Sequence, residues 1–206
     1  MAEDEMNLVR RHVAETLGEP SPLEIRQTLV TEPKIAIMKV EFNESNVLIT
    51  KGMSRLPMNT PPEHEEYKYA ELVMHMPKSW QLNLREAGEN DKWPIEWMLR
   101  IANYPFGAHT FLGGEYGVFA NEEPPKRFAP NTELSCILAI TSDSNFARMN
   151  RSDGASTHFY SLFPLYTEER DFELEHGVQA LLERFQRFKI SRVIDPKRIN
   201  VCKPAE

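Results

Sequence analysis

Apolar residues recur at helical spacing near the start of the chain. The stripe consists of Met6, Val9, Val13 and Leu17. Spacings of three and four place these side chains on one face, and Gly18 and Pro20 follow as stop signals. The pattern predicts an amphipathic first helix over residues 3–17.

Runs rich in β-branched and large apolar residues come next and are typical of strands. Residues 34–42 and 46–50 form the first two runs, and the polar turn Asn43-Glu44-Ser45 between them predicts a hairpin. Similar runs cover residues 67–76, 133–140 and 157–163. We therefore expect a sheet of at least five strands.

Helical spacing returns in the middle of the chain. The stripe consists of Ile95, Met98, Leu99 and Ala102, widened by Trp97, Ile101 and Tyr104. We expect Asp91 to cap this helix, Pro94 to lie in its first turn and Pro105 to end it. Aromatic residues at helical spacing are more often core than part of a cofactor site, so we interpret the helix as buried on much of its circumference.

A third helical pattern begins at Thr167, whose hydroxyl suits an N-cap. Glu168 and Glu169 follow in the first turn, where carboxylates suit the positive end of the helix dipole. Apolar residues keep the helical period to Phe188, although Gly177 interrupts the middle. The pattern predicts one long helix with a kink or a close packing contact at the glycine.

Two long stretches, residues 51–66 and 105–132, contain prolines, glycines and little periodicity, which predicts ordered loops. The second contains Gly113-Gly114-Glu115-Tyr116-Gly117, which carries a carboxylate where a phosphate site would need amide or basic groups. We interpret this segment as a turn. No strict strand-helix alternation and no linker is visible, so we expect one domain over residues 1–206.

Composition limits the function more than the fold. The chain has 206 residues, 41% of them hydrophobic, and a formal charge of −7, which is typical of a globular protein. Its basic residues are scattered, which argues against a nucleic-acid binder. The start is acidic where a secretory signal is basic, and no apolar run approaches the roughly 20 residues that cross a bilayer. We expect a cytoplasmic protein without a membrane segment.

The two cysteines and six histidines are candidates for metal or redox chemistry. Cys136 lies in an apolar run, where a buried and inert thiol is the common case, and we interpret Cys202 in the same way. No His-x3-His or Cys-x2-Cys pair places two ligands on one face. We expect no metal ion and no cofactor.

Acidic residues are more clustered than basic ones. The clusters cover residues 63–66, 86–91, 122–123 and 168–175. Solvated surface is the simplest interpretation, and an acidic face for a basic partner protein is the sharper hypothesis. The candidate partner-binding residues are Glu115, Tyr116, Glu122, Glu123, Tyr166, Glu168, Glu169 and Asp171.

Several blocks of this sequence resemble the Suppressor of fused (SUFU) domain in its short bacterial form. They occur in the family's order, and the resemblance is strongest over residues 45–185. The blocks are Thr50-Lys51-Gly52-Met53-Ser54 with Leu56-Pro57-Met58, Tyr69-Ala70-Glu71-Leu72, Trp93-Pro94-Ile95-Glu96-Trp97, Phe111-Leu112-Gly113, Pro124-Pro125 with Phe128, and Phe163-Pro164-Leu165-Tyr166-Thr167-Glu168-Glu169. One departure is Gly114-Glu115-Tyr116, where the family pattern continues with something like Gly-His-Thr.

The resemblance implies an α+β domain with a mixed, mostly antiparallel sheet flanked by helices. It also implies a protein-binding function without enzymatic activity. Bacterial members look like immunity proteins that neutralise toxins by direct binding. A basic toxin domain is therefore the partner that the acidic clusters would suit.

Two alternatives remain open at this point. Within the binding class, an extended peptide could add to an exposed sheet edge. Outside it, a hydrolase or transferase would have its site between loops 51–66 and 105–132. The candidate residues for that site are Glu115, Tyr116, His109 and His158, and Cys136 with His158 forms a candidate nucleophile pair.

Overall fold

A computed structural model describes residues 5–22, 24–26, 32–142 and 144–203. The helices of this part of the chain are α1 Glu5–Thr16, α2 Glu89–Gly107, α3 Thr167–His176 and α4 Val178–Arg187. The strands are β1 Glu24–Arg26, β2 Ala36–Phe42, β3 Ser45–Lys51, β4 Tyr69–Pro77, β5 Tyr116–Ala120, β6 Cys136–Ile140, β7 Arg148–Asn150 and β8 Ser156–Leu165. None of the helices within these ranges is both long and apolar enough to cross a membrane.

The strands form one mixed sheet in the order β1-β2-β3-β4-β8-β6-β5, and β7 pairs with the first residues of β8. β4 and β8 are parallel, whereas the other pairs are antiparallel. A mixed, mostly antiparallel sheet with flanking helices is therefore confirmed. The predicted hairpin is formed by β2 and β3, and Asn43 in its turn has a φ of 51°, a conformation that asparagine tolerates better than most residues.

The core lies on both faces of this sheet. Alternate residues of a strand point to opposite faces, so Ile37 packs on the side of α2 and Met38 packs on the side of α1. The α2 side is the larger and includes the fully buried Trp93 and Ile95. A third cluster covers β6 with α4, where Leu138 contacts the apolar stripe of the helix. Burial on both faces explains why the strand sequences are nearly continuous apolar runs.

The predicted boundaries of α2 were wrong at both ends. The helix begins at Glu89, and Gly88 occupies the cap position without a side-chain hydrogen bond. Asp91 therefore lies inside the first turn and does not cap the helix, and Pro94 lies beyond the first turn, although it was predicted to lie within it. Pro105 also lies inside the helix, which continues to Gly107. Hydrogen bonds from the Ala108 amide to the Tyr104 carbonyl and from the Thr110 amide to the Pro105 carbonyl, both at 2.9 Å, close the last turn after the proline.

The last predicted helix is divided into α3 and α4 at Gly177. This glycine has φ 83° and ψ 159°, a conformation essentially closed to other residues, so the chain turns there instead of bending slightly. Tyr166, and not Thr167, occupies the N-cap position of α3. The Thr167 hydroxyl instead contacts the Ser135 hydroxyl at 2.8 Å, which ties the helix start to the residue before β6.

A buried carboxylate ties the first predicted loop to the sheet. Glu71 lies in β4 with no exposed surface. It accepts hydrogen bonds from the Thr50 hydroxyl at 2.6 Å, the Gly52 and Ser54 amides at 3.0 Å and the Ser54 hydroxyl at 2.7 Å. Burial raises the pKa of Glu71, and these donors oppose the increase. Two of the sequence blocks quoted above therefore meet at one side chain.

Candidate functional site

The predicted partner-binding residues lie in two neighbouring groups. Glu115 and Tyr116 lead into β5, while Glu122 and Glu123 follow its last residue. The second group starts at the N-terminus of α3. It consists of Tyr166, Glu168, Glu169 and Asp171. The carboxylates of Glu115, Glu122, Glu123, Glu168 and Asp171 are exposed.

Glu169 is different, because its side chain is completely buried. Its carboxylate accepts hydrogen bonds from Arg198 at 2.6 Å, from the Val201 amide at 3.1 Å and from the Tyr166 amide at 3.1 Å. Arg198 also donates to the Pro164 carbonyl at 2.9 Å. Glu169 therefore fastens the C-terminal segment to the start of α3, and it is not accessible to a partner. Tyr166 is also buried, and its hydroxyl donates to the Arg198 carbonyl.

The exposed carboxylates near α3 are partly neutralised. Arg170 lies 3.2 Å from Glu123 and 2.8 Å from Asp171, so it bridges the segment after β5 to the helix. Glu122 pairs with Lys126 at 2.5 Å. Glu122, Glu123 and Asp171 exceed the Lys126 and Arg170 cations by one, and Arg127 on the same segment pairs with Glu133 at 3.3 Å.

A groove that sequence analysis missed runs beside β5. Among the strands that the structure describes, β5 is the last of the sheet, and its pairing is with β6 on one side. Between it and α2 lies a groove of about 370 Å³. The groove is lined by Trp97, Arg100, Ile101, Tyr104, Val118, Phe119 and Ala120. Tyr104 is 46% exposed, and its ring meets Phe119 edge to face at 5.6 Å.

The spacing of the aromatic stripe of α2 predicted a buried core face. The stripe is not entirely buried in the structure. Trp93 and Ile101 are buried, while Tyr104 faces the groove and Arg100 lies over the Trp97 ring at 4.9 Å. The only hint in the sequence is the width of the stripe. When the apolar face of a helix is wider than its packing partner can cover, part of that face stays exposed. We call Trp97, Arg100, Tyr104, Val118, Phe119, Glu122 and Glu123 the β5-edge surface.

Gly114 and Glu115 form a turn, as the glycine-rich segment predicted, whereas Tyr116 and Gly117 of that segment belong to β5. Gly117 is required by a close contact: a Cβ there would lie 2.0 Å from the Leu112 carbonyl oxygen. Gly113 has a φ of 105°, and a Cβ there would lie 2.5 Å from the Tyr116 carbonyl oxygen. The turn therefore packs closely against the first residues of β5 and sets the position of that strand.

A second cavity brings together three residues of the enzyme hypothesis. Glu115, Tyr116 and His158 line a pocket of about 530 Å³, where Glu66 at the end of the first predicted loop approaches the middle of the second. His109 does not line it; its backbone carbonyl accepts a hydrogen bond from Asn59 at 2.8 Å. Burial and Glu173 raise the pKa of the Tyr116 phenol, while burial and Arg148 lower the pKa of His158.

Neither cysteine belongs to this pocket. Cys136 is fully buried in the cluster beneath α4, and burial raises its pKa, which keeps the thiol protonated. The proposed Cys136 and His158 pair therefore lacks an activated nucleophile. Among the described residues, no group of three or more His, Cys, Asp or Glu side chains is arranged to hold a metal ion.

Comparison with known proteins gives one family. The family model described as Suppressor of fused protein (SUFU) matches residues 31–199. No curated protein matches the chain significantly.

Solved structures with the same fold include a SUFU homolog from Neisseria gonorrhoeae, which is 15% identical with a TM-score of 0.62, covering 98% of this chain and 99% of that one. A chain of the Sufu-Fu complex is 13% identical with a TM-score of 0.63, covering 98% and 93%. Drosophila Suppressor of Fused is 12% identical with a TM-score of 0.59, and the match covers 95% of this chain and 50% of that one.

Proposed function

Since this chain belongs to the Suppressor of fused family, we propose that it is a non-enzymatic protein-binding domain and that the β5-edge surface receives the partner. A structure of this fold has been solved as part of a Sufu-Fu complex, which supports binding as the function. The observation that carries the proposal here is the apolar groove beside the unpaired side of β5.

The proposed mode of binding is strand addition. An edge strand offers unpaired backbone N–H and C=O groups to an extended peptide, and adjacent pockets receive alternate side chains. The groove supplies such a pocket next to Val118 and Phe119. Tyr104 is suited to be an anchor, because a half-exposed aromatic ring can bury a large area with little loss of conformational entropy.

The proposed partner is a basic protein, and a toxin neutralised by direct binding is the form of partner that we favour. Glu122 and Glu123 lie directly after β5, and Asp171 approaches the same region through Arg170. Complementary charge at the rim of an interface accelerates encounter and disfavours acidic competitors. The domain would then act as an immunity protein, with the groove supplying affinity and the carboxylates supplying selectivity.

The test compares two exposed aromatic residues. Tyr104 is 46% exposed in the groove, and Phe188 is 45% exposed at the end of α4, so Phe188→Ala is a matched control for Tyr104→Ala. Partners captured from native lysate, including the product of an adjacent toxin gene, are titrated against both variants. We expect Tyr104→Ala to weaken binding by roughly tenfold or more and Phe188→Ala to leave it unchanged. Equal effects of the two substitutions would contradict the proposed surface.

A further inference from the structure

The last described residues of the chain fill an opening in the sheet. β4 and β8 pair as far as Val73 and Ser161, and beyond these residues β4 continues beside β3 while β8 continues beside β6. β3 covers one side of His75, so the bridge between His75 and Val193 lies on the side that β8 has left. Residues 190–203 therefore enter the gap between the two strands. We call them the C-terminal clasp.

Pro164 limits the pairing of β8 on this side of the sheet. Its carbonyl accepts a hydrogen bond from the Arg198 guanidinium of the clasp at 2.9 Å, and proline has no amide hydrogen to offer to another strand. On the β4 side of the gap, the Ile194 amide donates to the His75 carbonyl at 2.9 Å. The clasp therefore bonds to both strands where they no longer bond to each other.

A buried ion pair joins the clasp to the start of α3. The Glu169 side chain has no exposed surface, 11% of the Arg198 side chain is exposed, and a 2.6 Å hydrogen bond joins them. The Glu169 carboxylate also accepts from the Val201 amide of the clasp and from the Tyr166 amide at the N-cap of α3, both at 3.1 Å. Removing one partner of a buried pair leaves an uncompensated charge, which costs more than losing a neutral hydrogen bond. This pair is therefore the contact whose loss would weaken the clasp most.

The clasp has no regular structure of its own. Within the described ranges it contains no helix and no strand, and its pairing with the sheet is the bridge at His75. Ile194 and Val201 are buried against the rest of the domain, and the Thr132 hydroxyl donates to the Pro196 carbonyl at 2.7 Å. A segment without a ladder of backbone hydrogen bonds opens at a lower free energy than the strands of the core.

We propose that the C-terminal clasp opens as one unit while the sheet stays folded, and that the Glu169–Arg198 pair is its latch. Once Arg198 leaves, the Glu169 carboxylate turns toward water and releases the Tyr166 amide that it caps. Arg170 follows in the same turn of α3 and lies 3.2 Å from Glu123, so an open clasp loosens the Glu123 end of the β5-edge surface. The clasp is tested on the free chain, so its failure and the failure of the proposed partner binding are separate results.

The first test is native-state hydrogen exchange of the unmodified full chain at low denaturant concentrations, followed by NMR. We expect the Ile194 and Val201 amides to exchange through one opening whose free energy hardly changes with denaturant, because little surface is exposed. The Leu72 amide, which donates to the Thr50 hydroxyl at 2.7 Å in the core, should follow global unfolding and depend steeply on denaturant. Equal denaturant dependence of all three amides would overturn the local opening.

The second test assigns the latch. Arg198→Met should accelerate exchange of the Ile194 and Val201 amides at least about tenfold, because it leaves the Glu169 charge buried without its partner. Lys197→Met, made on an exposed neighbour in the clasp, is the matched control and should change these rates by less than about twofold. The double variant Arg198→Met with Glu169→Gln should exchange no faster than Arg198→Met alone. Unchanged rates in Arg198→Met, or additive effects in the double variant, would overturn the latch.

The third test concerns the connection to the β5-edge surface. The Arg170 amide donates to the Tyr166 carbonyl at 3.1 Å in the first turn of α3. We expect it to exchange through the same opening as Ile194, and we expect the NMR shift of the Glu123 carboxyl carbon to change in Arg198→Met and not in Lys197→Met. An Arg170 amide that keeps its full protection in Arg198→Met, or an unchanged Glu123 shift, would overturn this connection.

Discussion

Two regions of this molecule use acidic and polar groups in opposite ways. At Glu71, a fully buried carboxylate is surrounded by four donors, and nothing on it is left for a ligand. At the β5 edge, no second strand of the described residues pairs with the backbone, an aromatic groove is open and carboxylates remain exposed. The difference is that satisfied polar groups hold this fold together, whereas the open groups at the β5 edge lie on the surface that we propose for partner binding.

The comparison predicts its largest effect at Glu71. Glu71→Ala leaves the Gly52 and Ser54 amides buried without an acceptor, and each unsatisfied donor costs about 1–3 kcal/mol. We expect the free energy of unfolding to fall by roughly 3 kcal/mol, measured by denaturant titration. Glu63→Ala, an exposed carboxylate, should change it by less than about 0.5 kcal/mol. Similar losses in both variants would break the distinction between the two kinds of carboxylate.

The close contact between Gly117 in β5 and the segment before it gives the next largest predicted effect on stability. Gly117→Ala would place a Cβ 2.0 Å from the Leu112 carbonyl oxygen, so the backbone must shift. We expect a loss of roughly 2 kcal/mol in the free energy of unfolding. Gly107→Ala is the matched control, since a Cβ there meets nothing within 4 Å at the end of α2, and it should be neutral or slightly stabilising. A tolerated Gly117→Ala would mean that the turn does not fix the β5 edge.

Charge at the β5 edge should act on association more than on stability. Glu122→Lys is expected to slow the association of a basic partner several-fold, and the difference should shrink at high salt because screening weakens exposed charges. Glu44→Lys, made on an exposed carboxylate in the turn of the β2–β3 hairpin on the other half of the sheet, provides the control. Surface plasmon resonance measures both rates. A change confined to the dissociation rate would argue against steering by this acidic rim.

The smallest predicted effect is on the pH dependence of stability, which should have opposite signs for a buried and an exposed carboxylate. Burial raises the pKa of Glu71, so the stability that its titration contributes is present below the ordinary value of 4.5 and is lost as the pH rises. Lys68 lowers the pKa of exposed Glu65, so its contribution is present above 4.5 and is lost as the pH falls. Unfolding of Glu71→Gln and Glu65→Gln, each compared with the unmodified protein between about pH 3 and 7, should show these opposite trends.

Periodicity was sufficient to predict the long elements of the fold. The hairpin, the third strand and the first helix follow from runs of apolar residues whose spacing matches one regular structure. β1 and β7 were missed, since three residues are too few to show a pattern and their positions depend on pairing with longer strands. The prediction of a loop over residues 105–132 was also wrong for β5, whose five residues form a strand by pairing with β6. The family resemblance supplied the mixed sheet, which periodicity alone did not define.

The candidate site was less predictable, because its residues depend on contacts distant in the sequence. Glu169 looked like an exposed acid at a helix start, but Arg198 is 29 residues away and buries it. Tyr104 was predicted to be core, because the width of the α2 stripe does not show which of its residues stay exposed. Glu115 was predicted as a binding residue. The sequence did not show that it lines the same pocket as His158, because the two residues are brought together only in the folded chain.

The most direct test of the β5-edge surface is hydrogen exchange of the domain with and without its captured partner. Strand addition gives unpaired amides of an edge strand new hydrogen bonds, so we predict slower exchange within Tyr116–Ala120 and the neighbouring Trp97–Tyr104 segment of α2. β1, at the opposite edge of the sheet, is the internal control and should exchange at an unchanged rate. Protection confined to β1, or to the faces of α1 and α4, would contradict the central claim.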